Sequence, residues 1–170
     1  MYKYKSNISK TNFYILLTQI ALLTAALFVW LLIPFGLGIN TSNYQKITKD
    51  LTNEQISELG QQIAMRTLIS YLANTFIILF FLVYLVLLRH KHKHGYIFIY
   101  SWVVVFITLA ASPFFNGTEL LSTLQLVFGS LITIINISII ITLIYLLFQY
   151  HIKRKFHYYE WFKIHKGGSK

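Results

Sequence analysis

Residues 120–149 read LLSTLQLVFGSLITIINISIIITLIYLLFQ, a run without a single Asp, Glu, Lys or Arg. A helix rises about 1.5 Å per residue, so ~20 apolar residues cross ~30 Å of hydrocarbon. Three further stretches, 13–33, 67–88 and 96–112, are equally free of charge. Backbone groups in lipid find no water, so only helices and closed barrels span it. These runs lack the two-residue alternation of barrel strands. The sequence therefore predicts an all-α integral membrane protein. It reads as a four-helix bundle forming one domain over 1–170, with spans near 13–33, 67–88, 96–112 and 120–149. The third run is slightly short for a crossing, and the fourth exceeds one.

The formal net charge of +10 is unevenly distributed. With both termini cytoplasmic, the inner side holds Lys3, Lys5, Lys10, Arg89, Lys91, Lys93, Lys153, Arg154, Lys155, Lys163, Lys166 and Lys170 against Glu160 alone. The outer side holds Lys46, Lys49 and Arg66 against Asp50, Glu54, Glu58 and Glu119. Lys and Arg beside a span resist translocation, which predicts an N-in, C-in topology. The pI near 9.8 is then a topology signal that also favours anionic lipid headgroups on the cytoplasmic side. No nucleic-acid-binding module accompanies the charge, and nucleic acid is not an expected partner. The chain has no cysteine, which removes disulfides, thiol redox chemistry and thiolate metal sites. Usage rich in Ile, Lys, Asn and Tyr suggests an AT-rich bacterial genome, hence a bacterial plasma (inner) membrane. The first apolar run is too long for a signal-peptide core and lacks a small-residue cleavage pattern, so it reads as a retained helix. Rings at Tyr14, Trp30, Phe35, Tyr96, Tyr100, Trp102, Phe114, Phe115, Tyr150 and Trp161 are expected in the headgroup zone.

Between the spans, the first helix is expected to end near Ile33-Pro34-Phe35-Gly36-Leu37-Gly38, where proline and two glycines stop it, followed by a polar segment over 39–51. Thr52-Asn53-Glu54-Gln55 forms a capping-box pattern, with Leu51 and Ile56 at the staple positions. Ile56, Leu59 and Ile63 then repeat at helical spacing, predicting an amphipathic outer helix over about 53–66 that leads into the second span. Gly60 weakens it by ~1 kcal/mol relative to alanine. Glu54, Ile56, Glu58, Leu59 and Ile63 form a candidate outer docking helix. It either lies on the headgroups and covers the helix ends, or receives an extracytoplasmic partner. A short turn, Arg89 to Gly95, joins spans two and three, and Asn116-Gly117 is a turn dipeptide between spans three and four.

Three groups of residues carry candidate chemistry. His90, His92 and His94 have spacings that suit a metal ion, but Arg89, Lys91 and Lys93 repel a cation, and no carboxylate is near to orient the ligands. A basic membrane-edge cap is the preferred reading. Polar residues inside the spans come second. Ser122, Gln125, Gly129, Thr133 and Asn136 fall along one face of the last helix, joined by Ser70, Asn74 and Thr75, by Thr18, Gln19 and Thr24, and by Ser101 and Thr108. An unpaired amide in hydrocarbon costs several kcal/mol, so these faces are expected to point inward. There Gln19, Asn74, Gln125, Thr133 and Asn136 serve either as interior contacts or as a pore lining. The tail over 151–170 comes third. Its Lys153, Arg154, Lys155 and Trp161 are candidate lipid or partner contacts, with Phe156, Tyr159 and Trp161 or Phe162 on one helical face.

No Asp, Glu, Lys, Arg or His lies inside a predicted span, which argues against ion-coupled transport. No phosphate loop, zinc-protease motif or nucleophile elbow is present, so neither enzymatic activity nor a cofactor is expected. The expected role is a small non-catalytic accessory, immunity-type or effector component. It would act through another membrane protein, or a homo-oligomer, and through lipid. The alternative is a homo-oligomeric channel or membrane-permeabilising effector lined by the polar face of the last helix.

Overall fold

The computed structural model describes residues 8–37, 42–87, 96–115, 117–119 and 121–166. Among these the regular structure is entirely helical: α1 (Lys10–Leu37), α2 (Ser42–Thr48), α3 (Asn53–Leu87), α4 (Tyr96–Ala111), a 3-10 turn (Ser112–Phe114) and α5 (Thr123–Lys166). Four of these helices, α1, α3, α4 and α5, are long and apolar enough to cross a membrane.

Their lengths differ in a way that follows from their ends. Ser9 starts α1, its Oγ accepting the Asn12 backbone N–H at 3.3 Å and its carbonyl the Phe13 N–H at 3.0 Å. The helix runs through Pro34 to Leu37, within the stretch where the sequence expects it to end. A proline in the last turn removes only the bond to the carbonyl four residues earlier, which a helix end tolerates. At α3 the capping box forms as the sequence predicts: Thr52 N–H donates to Gln55 Oε1 at 3.0 Å, and Gln55 N–H to Thr52 Oγ1 at 3.4 Å. The outer amphipathic segment and the second span are thus one helix of 35 residues, about 52 Å long at ~1.5 Å per residue. Helix α4 has only 16 residues, or ~24 Å. The 3-10 turn that continues it rises ~2 Å per residue and makes up the shortfall. Gly117 closes the following turn at φ +80°, donating to the Phe114 carbonyl at 3.0 Å. The last span and the tail are also one helix, α5, of 44 residues, about 66 Å if straight.

Helix α5 packs on α1 and α4, and α1 also packs on α3. The shared core includes Leu16, Leu23 and Leu27 of α1, Phe81 and Leu85 of α3, Phe106 of α4, and Ile132, Ile139 and Leu143 of α5. Helices α3 and α4 meet through rings: Phe81 lies 4.4 Å from Trp102 and 5.1 Å edge-on from Phe106, and Tyr84 stacks on Phe98 at 4.2 Å. Between helices in lipid such contacts act mainly by close van der Waals packing, since lipid tails are as apolar as the side chains. Trp30 and Trp102 are buried against neighbouring helices in this core. The opposite side of α3 exposes Leu72, Phe76, Leu79, Phe80, Val83 and Val86, an apolar wall suited to lipid.

The expectation that every intramembrane polar residue faces inward does not hold. Thr18, Thr24, Ser101 and Thr108 are exposed. Each hydroxyl donates to the carbonyl four residues earlier, at 3.0, 2.9, 2.8 and 3.2 Å. A short hydroxyl that bonds its own helix leaves no group wanting a partner, so helix rotation is free to turn it outward.

Candidate functional site

The amides behave differently from the hydroxyls, because a carboxamide carries more donors and acceptors than one helix turn can satisfy. Gln19 reaches from α1 to α5: its Nε2 donates to Ser138 Oγ at 2.7 Å and to Thr142 Oγ1 at 3.1 Å. Thr142 Oγ1 returns a bond to Gln19 Oε1 at 3.3 Å. Two turns away Asn12 Nδ2 donates to Gln149 Oε1 at 3.3 Å. These five side chains make a polar seam along the α1–α5 contact. Ser138, Thr142 and Gln149 escaped notice in the sequence because they lie off the face that carries Gln125, Thr133 and Asn136. Only their match to α1 reveals them.

That face of α5 serves several different contacts. Gln125 caps its own helix: its Oε1 accepts the Ser122 N–H at 3.0 Å, and its N–H donates to Ser122 Oγ at 3.2 Å. Ser122-x-x-Gln125 is therefore a second capping box, a pattern visible in the sequence. Gly129 faces the 3-10 turn, where an added Cβ would stand 3.2 Å from Phe114 and 3.3 Å from Pro113. Thr133 Oγ1 donates to the Ala110 carbonyl of α4 at 2.7 Å. Asn136 is 1% exposed; its Nδ2 donates to the Ile132 carbonyl at 2.9 Å, and its Oδ1 has no partner. Asn74 stands apart on α3, donating to the Ser70 carbonyl at 2.7 Å and accepting from Ser112 Oγ at 3.1 Å. The five interior candidates thus occupy a helix cap, the α1–α5 seam, the α4–α5 contact, the core and the α3–α4 side.

At one end of the helices Tyr96 joins α4 to α5. Its Oη lies 2.6 Å from His151 Nδ1, and the Arg154 guanidinium sits 5.3 Å over the Tyr96 ring and 5.6 Å over Tyr158. Arg154 is therefore folded onto its own chain, while Lys153, Lys155 and Trp161 are exposed. Trp161 stacks on His165 at 4.7 Å. Phe156, Tyr159 and Ile164 are 64, 68 and 74% exposed. The turn candidates Arg89, His90, Lys91, His92, Lys93 and His94 lie outside the described residues.

At the other end Glu54 and Glu58 of α3 are exposed, while Ile56, Leu59 and Ile63 are half-buried. The apolar stripe of the candidate docking helix therefore turns toward its own chain and leaves the acids outward. Tyr44 of α2 lies over Gly60, where an added Cβ would stand 3.9 Å from its Oη. Ile63 also borders a pocket of about 70 Å³ with mixed walls, apolar at Leu121 and Pro113 and polar at Arg66, Thr67, Ser70 and Gln125, with Trp30 beside them. Sequence reading assigned no binding role to Trp30 or Arg66, which are distant in the chain and adjacent in the fold. Among the described residues no group of three His, Asp or Glu side chains is placed to hold a metal ion.

No protein-family model matches this chain, and comparison with curated proteins and with solved structures finds no similar protein.

Proposed function

We propose that this chain is a non-catalytic four-helix bundle of the bacterial plasma membrane with both termini cytoplasmic. It serves as an accessory, immunity-type or effector component, working through contacts with another membrane protein or a further copy of itself, and with anionic headgroups. The observation that carries this reading is the length and surface of α5. A crossing needs ~20 residues, whereas α5 has 44 and ends in a segment exposing Phe156, Tyr159, Trp161 and Ile164 beside Lys153, Lys155 and Lys163. A basic helix with so many exposed rings is suited to a headgroup surface or a partner groove. The channel reading has less support, because Gln125 and Asn136 are buried within their own chain and Thr133 donates to the Ala110 carbonyl.

The test is the mass of the particle extracted gently from its native membrane, with co-purifying proteins identified. A second protein at fixed stoichiometry, lost when residues 156–170 are deleted, is the expected result. A homo-oligomer that conducts ions in bilayers would favour the channel instead. Because the chain lacks cysteine, Lys49→Cys and Lys163→Cys report topology directly. An impermeant thiol reagent added to intact cells should label only the first.

A further inference from the structure

The pocket beside Arg66 is rich in hydrogen-bond donors. Trp30 is 5% exposed, and its indole Nε1, which can only donate, has no acceptor. Gln125, 4% exposed, has its Oε1 engaged by the Ser122 N–H, which leaves the donor end of the amide. Arg66, an exposed residue, lines the same wall. The protons of two nearby hydroxyls are already engaged: Thr67 donates to the Ile63 carbonyl at 2.9 Å, and Ser112 Oγ shares its proton between the Leu109 carbonyl at 2.8 Å and Asn74 Oδ1 at 3.1 Å. A buried indole N–H without a partner is costly. One water needs ~10–15 Å³ of such space, so the roughly 70 Å³ present takes a small polyatomic group. The group that satisfies these donors is an anion with several oxygens.

A second cavity adjoins the first. About 370 Å³ in volume, it lies between α3 and α4 and shares Arg66, Ser70 and Ser112 with the first. Its cause is the choice of side chains. The rings of Phe81, Trp102 and Phe106 fill the space between α3 and α4 at one level, whereas Ser70, Ala73, Asn74 and Thr108 leave it open at another. The groove continues past Ala73 to Ile77 and Leu109, about 16 Å along α3 from Arg66 at ~1.5 Å per residue. It thus enters the uncharged stretch that begins at residue 67. A charged, donor-rich pocket at the edge of the span opening into a groove within it matches the layout of a phospholipid.

We propose that this end of the molecule binds an anionic phospholipid, its phosphate held by Arg66, Trp30 and Gln125 and an acyl chain lying in the groove between α3 and α4. The proposal rests on the membrane location alone, and no protein partner enters it.

The experiment is native mass spectrometry of the delipidated full-length chain in detergent, titrated with dioleoyl phosphatidylglycerol. One retained lipid is expected. Arg66→Gln, which removes a charge-assisted contact at an exposed position, should weaken retention by ~tenfold or more. Ser70→Leu, which fills the groove, should weaken it as well, while Lys10→Gln, at the exposed far end of α1, should not. Trp30→Phe adds a check on the indole N–H, with circular dichroism confirming that each variant is folded. Equal retention by wild type, Arg66→Gln and Ser70→Leu would overturn the proposal. Retention of dioleoylglycerol as strong as that of the phosphatidylglycerol would also overturn it, by showing that phosphate is not recognised. Glycerol phosphate competing as well as the whole lipid would reduce the site to a small-anion pocket and remove the acyl chain from it. Because the measurement uses purified protein, a missing protein partner leaves its outcome unaffected.

Discussion

Gln19 on α1 and Ser138 on α5, 119 positions apart in the chain, are joined by a 2.7 Å hydrogen bond from the glutamine Nε2 to the serine Oγ. With the Thr142 exchange beside it, this bond fixes which face of α1 meets α5. Interhelical hydrogen bonds in membranes contribute ~0.6–2 kcal/mol each. Gln19→Leu should therefore lower thermal stability in detergent by about 1–3 kcal/mol, because it removes bonds to both Ser138 and Thr142. Ser138→Ala should add little to that loss in the double variant. Full additivity of the two losses would mean that the pair is not coupled.

Asn136 should behave in the opposite way. Its Oδ1 is buried without a donor, and an unsatisfied polar atom costs about 1–3 kcal/mol. Leucine has a similar branched shape and carries no such atom. Asn136→Leu is expected to leave stability unchanged or raise it, read as the midpoint of thermal unfolding. A clear loss would mean that the amide oxygen has a partner, such as a bound water or a further subunit.

Two glycines on different helices should respond with opposite signs. At Gly60 an added Cβ meets nothing closer than Tyr44 Oη at 3.9 Å, so Gly60→Ala should stabilise α3 by up to ~1 kcal/mol through helix propensity. At Gly129 the Cβ would already press on Phe114 and Pro113. Gly129→Leu should destabilise by ~1–3 kcal/mol, as overpacking does. Parallel melting curves of the two variants test both signs at once.

The start of α5 provides a fourth prediction. Ser122→Ala removes the cap of the Gln125 N–H and should cost ~1 kcal/mol. Gln125→Glu keeps an oxygen that can accept the Ser122 N–H and should largely preserve the cap. A carboxylate there would also face Arg66 across the pocket, so the same variant should reduce phosphatidylglycerol retention. Cap stability and lipid retention would then separate within one substitution.

Several features were legible in local sequence. The four uncharged stretches appear as four long helices, because the length of an apolar run needs no tertiary information. Thr52 and Gln55 form the predicted box, because both partners lie within one helical turn. The second box at Ser122 and Gln125 obeys the same rule, and its two residues also fall on the polar stripe of the last helix. Helix α1 ends at Leu37, inside the proline- and glycine-marked stretch, and Pro34 is accommodated in its last turn because few bonds remain there to be lost.

What the sequence by itself determined is where the chain turns apolar, where its helices begin, and how its charges divide. Those properties depend on composition and on neighbours within about four residues. Only the tertiary structure decided which polar groups meet. Thr18 and Thr108 are exposed because a hydroxyl is satisfied by its own helix, whereas Gln19 needs Ser138 and Thr142, and Asn74 needs Ser112. The pairing of Trp30 with Arg66 at one pocket likewise has no local signature. It follows from the rotation of α1 against α3, which is set by the fit of side chains across the contact and by no single residue's preference.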